Sequence, residues 1–503
     1  MEQYLCRKLK NQLSGGNLMK RKAALILALL MASQCFLTSC SNKEEEAETP
    51  KQSVSENTGS TDSSDTAEET EVQTEAETDI YASLTPKNYD GYTFAFSIEG
   101  QAYGTTEMDF EEMTGDIIVD TIFTRNRAIE DILNIVITQE YGAAEGRLKD
   151  MHMAGDDIYD VVWLAINQMD TMKREYLFDF YEIEDINWDD PWWEEATRKD
   201  YETGTKLFFA QSPMNLHFYE SLIPILFNKE IANQYQIENL YTAVSEGRWT
   251  LDMMAEVSTS VITDKDGDSI IDASKDIVGY AASTNLVPFM TVAAGARYSE
   301  KGENGVPVFL GLTERLQSSV EKIAKTFSVS DNVVAYGDYI RLFSENHAMF
   351  FLDCLGRVKD LRETEFDFGI LPLPKYDESQ EEYISSFVGY ADCMVIPSAN
   401  REAAEIGTIL TYFSAYSYRD LIPAFYEKSV TGKQFRDQES VEMLEIMLSN
   451  IRMEPALLFE WCGMLGLIEK AAQSNGEGLA AKFQAMEKAM ATTIDRMYGK
   501  YVN

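Results

Sequence analysis

The sequence is short of the residues on which many enzymes and disulfide scaffolds are built. Three histidines and six cysteines serve 503 residues, too few for a disulfide framework or a His-rich catalytic metal site. His152, His217 and His347 stand far apart without a HExxH spacing, and no GxSxG, P-loop or CxxC motif occurs. Basic residues are scarce: 43 Lys+Arg face 84 Asp+Glu, a formal net charge of −41. A surface of that sign repels phosphates and excludes nucleic acid as a partner. It also argues for neutral or cationic ligands. What the chain does have is 45% hydrophobic and 11% aromatic residues. That is enough for a large core spread over two or three domain-sized units.

The N-terminus carries an address. Met19-Lys20-Arg21-Lys22 is a basic stretch, and Ala23 to Ser33 is an apolar run too short to cross a bilayer but right for a signal peptide. Leu37-Thr38-Ser39-Cys40 then resembles a bacterial lipobox. Residues 1–39 are accordingly expected to be a removed signal region, with Met19 the true start, and Cys40 to receive two acyl chains, a stable anchor. Residues 41–79 hold 13 acids and two lysines among Ser, Thr and Gly. Such a segment cannot bury enough surface to fold, so residues 40–79 read as a lipidated Cys and an extended acidic tether. The membrane is then touched through the lipid anchor only. Cys354, Cys393 and Cys462 remain, an odd number best read as small buried hydrophobes, with a Cys354–Cys393 bridge as the alternative.

From residue 80 onward, short apolar runs alternate with helical patterns. Tyr92 to Ile98, Ile135 to Ile137 and Asp157 to Leu164 read as strands, and Ile117 to Leu133 and Glu145 to Met153 as helices. Strands separated by helices imply an α/β parallel sheet with ligands at the carboxyl ends of its strands. Lys206 to Ala210 and Ser221 to Phe227 are apolar and extended, and Thr250 caps a helix. The strand style of the first part resumes at Ala348 to Leu352, Phe368 to Pro374 and Cys393 to Pro397. Beyond Arg401 the pattern is helical.

Several of these pieces, in this order, resemble the family 1 extracellular solute-binding proteins of bacterial ABC importers, chiefly the carbohydrate-binding ones. They are the lipobox and tether, Tyr159 to Trp163, Phe227-Asn228-Lys229, Gly247 to Asp252, Phe343 to Phe350, Phe368 to Pro374 and Val395-Ile396-Pro397. Glu345-Asn346-His347 and Gly389-Tyr390-Ala391-Asp392 depart from the family pattern. The resemblance implies a two-lobed periplasmic-binding-protein-like fold, type II-like, with hinge crossovers and a helical C-terminal part shared between lobes. It places the first lobe in residues 80–220 with a return at 346–400, the second in 221–345, and the helical part in 401–503. It implies hinge closure on a solute, an ABC permease as partner, a monomer on the extracellular face of the cell membrane, and no catalysis or required cofactor. A secreted glycan hydrolase and a glycan-binding surface protein without a permease are the alternatives.

Sugars are held by aromatic stacking and by hydrogen bonds from carboxylates and amides. Candidate ligand residues are therefore Trp163, Asn167, Trp192, Trp193, Tyr219, Glu220, Tyr390, Asp392 and Trp461, with core packing the alternative for each. Trp249 is expected to anchor the helix that it precedes. Asp264, Asp266, Asp268 and Asp272, with the Ile270 carbonyl, carry oxygen at calcium-loop positions 1, 3, 5, 9 and 7. Ser269 replaces the usual Gly and Lys275 the terminal acid. A structural Ca²⁺ is the candidate occupant, and a polar turn the alternative.

Overall fold

In a computed structural model of the chain, the described residues are 81, 84–100, 104–170, 172–193, 195–327, 333–334, 338–431 and 437–499. The signal region, Cys40 and the tether lie outside them. Residues 85–503 form one compact body.

Strand β1 (Tyr92–Ile98) is followed by a helix over Ile117–Leu133, β2 (Ile135–Tyr141), a helix over Ala144–Ala154 and β3 (Val161–Ala165). The first helix starts where Asp116 accepts from the backbone N–H groups of Ile118 and Val119. It stops at Asn134, whose φ of 53° is the left-handed conformation that Asn tolerates. β2 and β3 both pair parallel to β1. The sequence then leaves this sheet. β4 (Ile225–Asn228), β5 (Val278–Ala282), the hairpin β6 (Ser299–Lys301) and β7 (Pro307–Phe309), β8 (Val333–Val334), β9 (Ala348–Leu352) and β10 (Phe368–Leu371) follow. Five of them make a second sheet in the order β10-β4-β9-β5-β8. β11 (Asp392–Val395) returns to the first sheet, antiparallel to β3, giving the order β11-β3-β1-β2.

This topology corrects the expected return at Ala348. Ala348–Leu352 pairs with β4 and β5, and Phe368–Leu371 with β4, so both belong to the second lobe. The return to the first begins only at Asp392. β3 and β9 are both buried along their whole length, and a strand buried on both faces has the same apolar signature in either sheet. Lys206 to Ala210 is likewise no strand but a loop with single bridges at Lys206 and Ala210.

Two crossings join the lobes and lie side by side with a third segment. Leu222 bridges Phe387, and Ser385 bridges Ile451. Backbone hydrogen bonds run from Ile223 to Ser386 (3.1 Å), Val388 to Ser221 (3.1 Å), Ser385 to Asn450 (2.9 Å) and Arg452 to Ser385 (2.9 Å). β4 and β11, the antiparallel members of their sheets, are each the first strand after a crossing. The late helices divide between the lobes. The one over Gly407–Tyr416 packs on the first sheet, with Phe413 against Phe94 and Phe96 at 5.8 and 5.4 Å between ring centres. The helix over Gln438–Ser449 packs on β10.

Candidate functional site

β1 ends at Ile98 and β9 at Leu352, and the segments that follow each strand face one another across a cavity of about 180 Å³. Gly104, Thr105, Ile118, Phe425 and Lys428 line it from the first lobe, and Leu355, Gly356, Lys359 and Arg362 from the second. Glu220, at the end of the short helix that leads into the first crossing, completes the lining. This is where open α/β sheets place ligands. Here the ends of two sheets contribute at once.

The floor is polar and part-buried. A Glu220 carboxylate oxygen accepts from the Thr105 N–H at 2.5 Å, and the other from the Thr105 hydroxyl at 3.4 Å. Burial pushes the Glu220 carboxyl up, while the Thr105 N–H and the charges of His217, Lys359 and Lys428 oppose the rise. The approach of the loop depends on Gly104, which has a φ of +77°. A Cβ there would lie 2.6 Å from His217 Cδ2 and 2.7 Å from Glu220 Oε2. Behind Glu220, His217 Nδ1 lies 3.3 Å from Asp392 Oδ2, with both side chains wholly buried. Glu99, just past β1, accepts from the Gln168 amide, just past β3, and burial raises its carboxyl as well. On the wall, the Lys428 ammonium sits 2.9 and 2.8 Å from the oxygens of Asp116, the cap of the helix over Ile117–Leu133.

Of the candidate ligand residues, only Glu220 lines this cavity. Trp163, Trp192, Trp193, Tyr219, Asp392 and Trp461 are all buried. Trp193 packs on Trp188 with ring centres 5.0 Å apart, Tyr219 is edge-on to Phe218 at 5.4 Å, and Trp461 is edge-on to Tyr498 at 6.2 Å. The buried rings agree with the core-packing alternative at these positions, where their large apolar area is best used. Asn167 donates its backbone N–H to Gly389 O at 2.8 Å, and Tyr390 is 54% exposed. Both stand near the strand ends without lining the cavity.

Sequence reasoning missed Lys359, Arg362 and Lys428. Lys359 and Arg362 had a signal in the scarcity of bases, which makes a Lys or Arg in the turn after a strand informative; Lys428, inside the helix over Ile422–Thr431, had none. The cysteines also differ from expectation in part: none of the three forms a disulfide, Cys354 and Cys393 are buried, and Cys462 is exposed.

The Asp-rich loop lies away from this cavity. Carboxylate oxygens of Asp264, Asp266 and Asp268 come within 4.8 Å of one another. Ser269 has a φ of 71°, the left-handed turn that glycine makes at the sixth position of a calcium loop. Asp264 accepts from the N–H groups of Gly267 (2.6 Å) and Ser269 (2.7 Å). The Lys275 ammonium lies 3.3 Å from Asp266, 3.9 Å from Asp268 and 3.6 Å from Asp272. Oxygen donors and backbone shape both fit a hard cation, and Lys275 supplies positive charge at the position where a calcium loop has an acid.

No protein-family model matches the chain, and no curated protein matches it. Solved structures do. A cyclo/maltodextrin-binding protein complexed with maltotetraose aligns at TM-score 0.52 and 14% identity, over 81% of this chain and 97% of its own. UgpB from Mycobacterium tuberculosis in complex with glycerophosphocholine aligns at TM-score 0.52 and 13% identity, over 78% and 99%. The ABC substrate-binding protein Lmo0181 from Listeria monocytogenes, in complex with cycloalternan, aligns at 0.49 and 12%, over 82% and 99%. The chain therefore has the two-lobed α/β fold of substrate-binding proteins.

Proposed function

We propose that this chain is a cell-surface receptor that captures an extracellular solute between its lobes and delivers it to an ABC permease. The observation that carries the reading is the cavity itself, lined from both lobes at strand ends and floored by Glu220 beside the crossing. Two crossings and a third segment joined by a few lateral hydrogen bonds suit hinge closure, in which short segments absorb the motion. A mono- or oligosaccharide is the solute class that the neighbour holding maltotetraose favours. The receptor works as a monomer, held on the extracellular face by diacylglycerol on Cys40. No described helix is long and apolar enough to cross a membrane. Among the described residues Glu220 is the one carboxylate lining the cavity, whereas glycoside hydrolysis takes two flanking the bond. The reading is binding without turnover, and a titration that also follows the fate of the sugar tests it.

The second part of the proposal is a structural calcium ion in the 264–272 loop. In millimolar Ca²⁺ the melting temperature is expected to rise by about 2–4 °C over that in EGTA, as a ligand binding only the folded state requires. Lys275→Glu, which removes the ammonium and adds an acid at position 12, is expected to enlarge that shift. Equal melting temperatures in both buffers, for both proteins, would remove calcium from the account.

A further inference from the structure

We infer that the solute carries an oxyanion, a carboxylate or a phosphate, and that its charge couples binding to closure. This inference rests on the receptor reading and specifies its ligand class. The chain has about half as many bases as acids, yet three bases, Lys359, Arg362 and Lys428, converge on a cavity with a single lining carboxylate. That carboxylate is already engaged by the Thr105 N–H and hydroxyl. Lys428 is held by Asp116. Lys359 and Arg362, on the helical turn after β9 and at its end, have no ion-pair partner among the described residues.

The net charge points the other way, toward neutral or cationic ligands. The distance scale decides between the two. Charges beyond a Debye length of about 8 Å at physiological salt are largely screened, so the ligand responds to the bases lining the cavity more than to acids spread over the surface. The bases also come from both lobes. Closing the lobes on a neutral solute brings Lys428, already paired with Asp116, toward Lys359 and Arg362 with Glu220 as the one lining carboxylate to offset them. Closing on an oxyanion turns that repulsion into attraction from both sides. A ligand shifts a two-state equilibrium only by its differential affinity for the two states, and an anion bridging the lobes has such a preference.

The test is isothermal titration of the full chain with matched pairs: galactose against galacturonate, their trimers, glucose against glucose 6-phosphate, and glycerol against glycerol 3-phosphate. An acidic member is expected to bind at least tenfold more tightly than its neutral twin, and the carboxylate and phosphate arms separate the two oxyanions. Lys359→Gln and Arg362→Gln, both at accessible positions, should each weaken that member about tenfold to a hundredfold, the range for a hydrogen bond to a charged group. Their unchanged melting curves would show that the fold is intact. A neutral member that binds as tightly as its acidic twin, with neither substitution weakening it, overturns the oxyanion while leaving the receptor standing. Failure of every member to bind counts against both.

Discussion

Replacing Trp249 with alanine is expected to destabilise the second lobe by about 3–5 kcal/mol, the range for truncating a fully buried tryptophan. The ring is wholly buried, packs on Phe350 with centres 5.6 Å apart, and donates its indole N–H to Pro372 O at 2.9 Å. Its backbone is tied as well: Lys375 donates to Trp249 O at 3.2 Å, and Leu251 to Lys375 O at 2.8 Å. The next residue, Thr250, caps the helix over Leu251–Ser260 through the Met253 N–H at 3.3 Å. Trp249 thus pins the start of that helix to the segment after β10. Trp249→Phe keeps much of the apolar contact but strands the Pro372 carbonyl, a cost of about 1–3 kcal/mol. Urea unfolding of the three proteins checks the order. An alanine variant within 1 kcal/mol of the parent would refute the anchoring role.

Glu454 should make stability fall as pH rises from the ordinary carboxylate range toward neutrality. It follows the third hinge segment, is buried, and accepts from the Tyr298 N–H at 3.2 Å and the Ser299 hydroxyl at 3.1 Å. Burial pushes its carboxyl from 4.5 to about 7, against the opposing effects of those donors, the Ala456 N–H and the Arg297 charge. In that window the folded protein keeps a proton that the unfolded chain releases, so folding is penalised increasingly with pH. Below 4.5 and above about 7 this group contributes no slope. At about 1.4 kcal/mol per pH unit the difference between the plateaus is roughly 3 kcal/mol. Glu454→Gln, which cannot titrate, should flatten that part of the stability profile. Parallel profiles for parent and variant would show that Glu454 ionises in the fold in the ordinary carboxylate range.

Much of the local structure was legible because it is decided locally. The helix over Ile117–Leu133 is marked in the sequence by its apolar spacing, and Thr250 marks the start of another. The two lobes and the hinge crossings were legible through the order of weak motifs. The lobe to which Ala348–Leu352 belongs was not, because strand partners are chosen across more than a hundred residues and leave no mark on a uniformly apolar run. The site was legible only at Glu220. Aromatic residues were weighted by what sugars bind, but a tryptophan is worth as much inside the core, and Trp192, Trp193 and Trp461 went there. The cations were missed because Lys428 meets Lys359 and Arg362 only after the chain has crossed between the lobes.

The most direct test of solute capture is titration of the purified full chain with a panel of mono- and oligosaccharides, neutral and acidic, with the recovered sugar analysed by chromatography after each run. The account predicts saturable one-to-one binding of at least one member, abolished or strongly weakened in Thr105→Trp, which fills the cavity whatever the charge of the solute, with the sugar recovered unchanged. Cleavage of the bound sugar, or binding that Thr105→Trp leaves untouched, would contradict it.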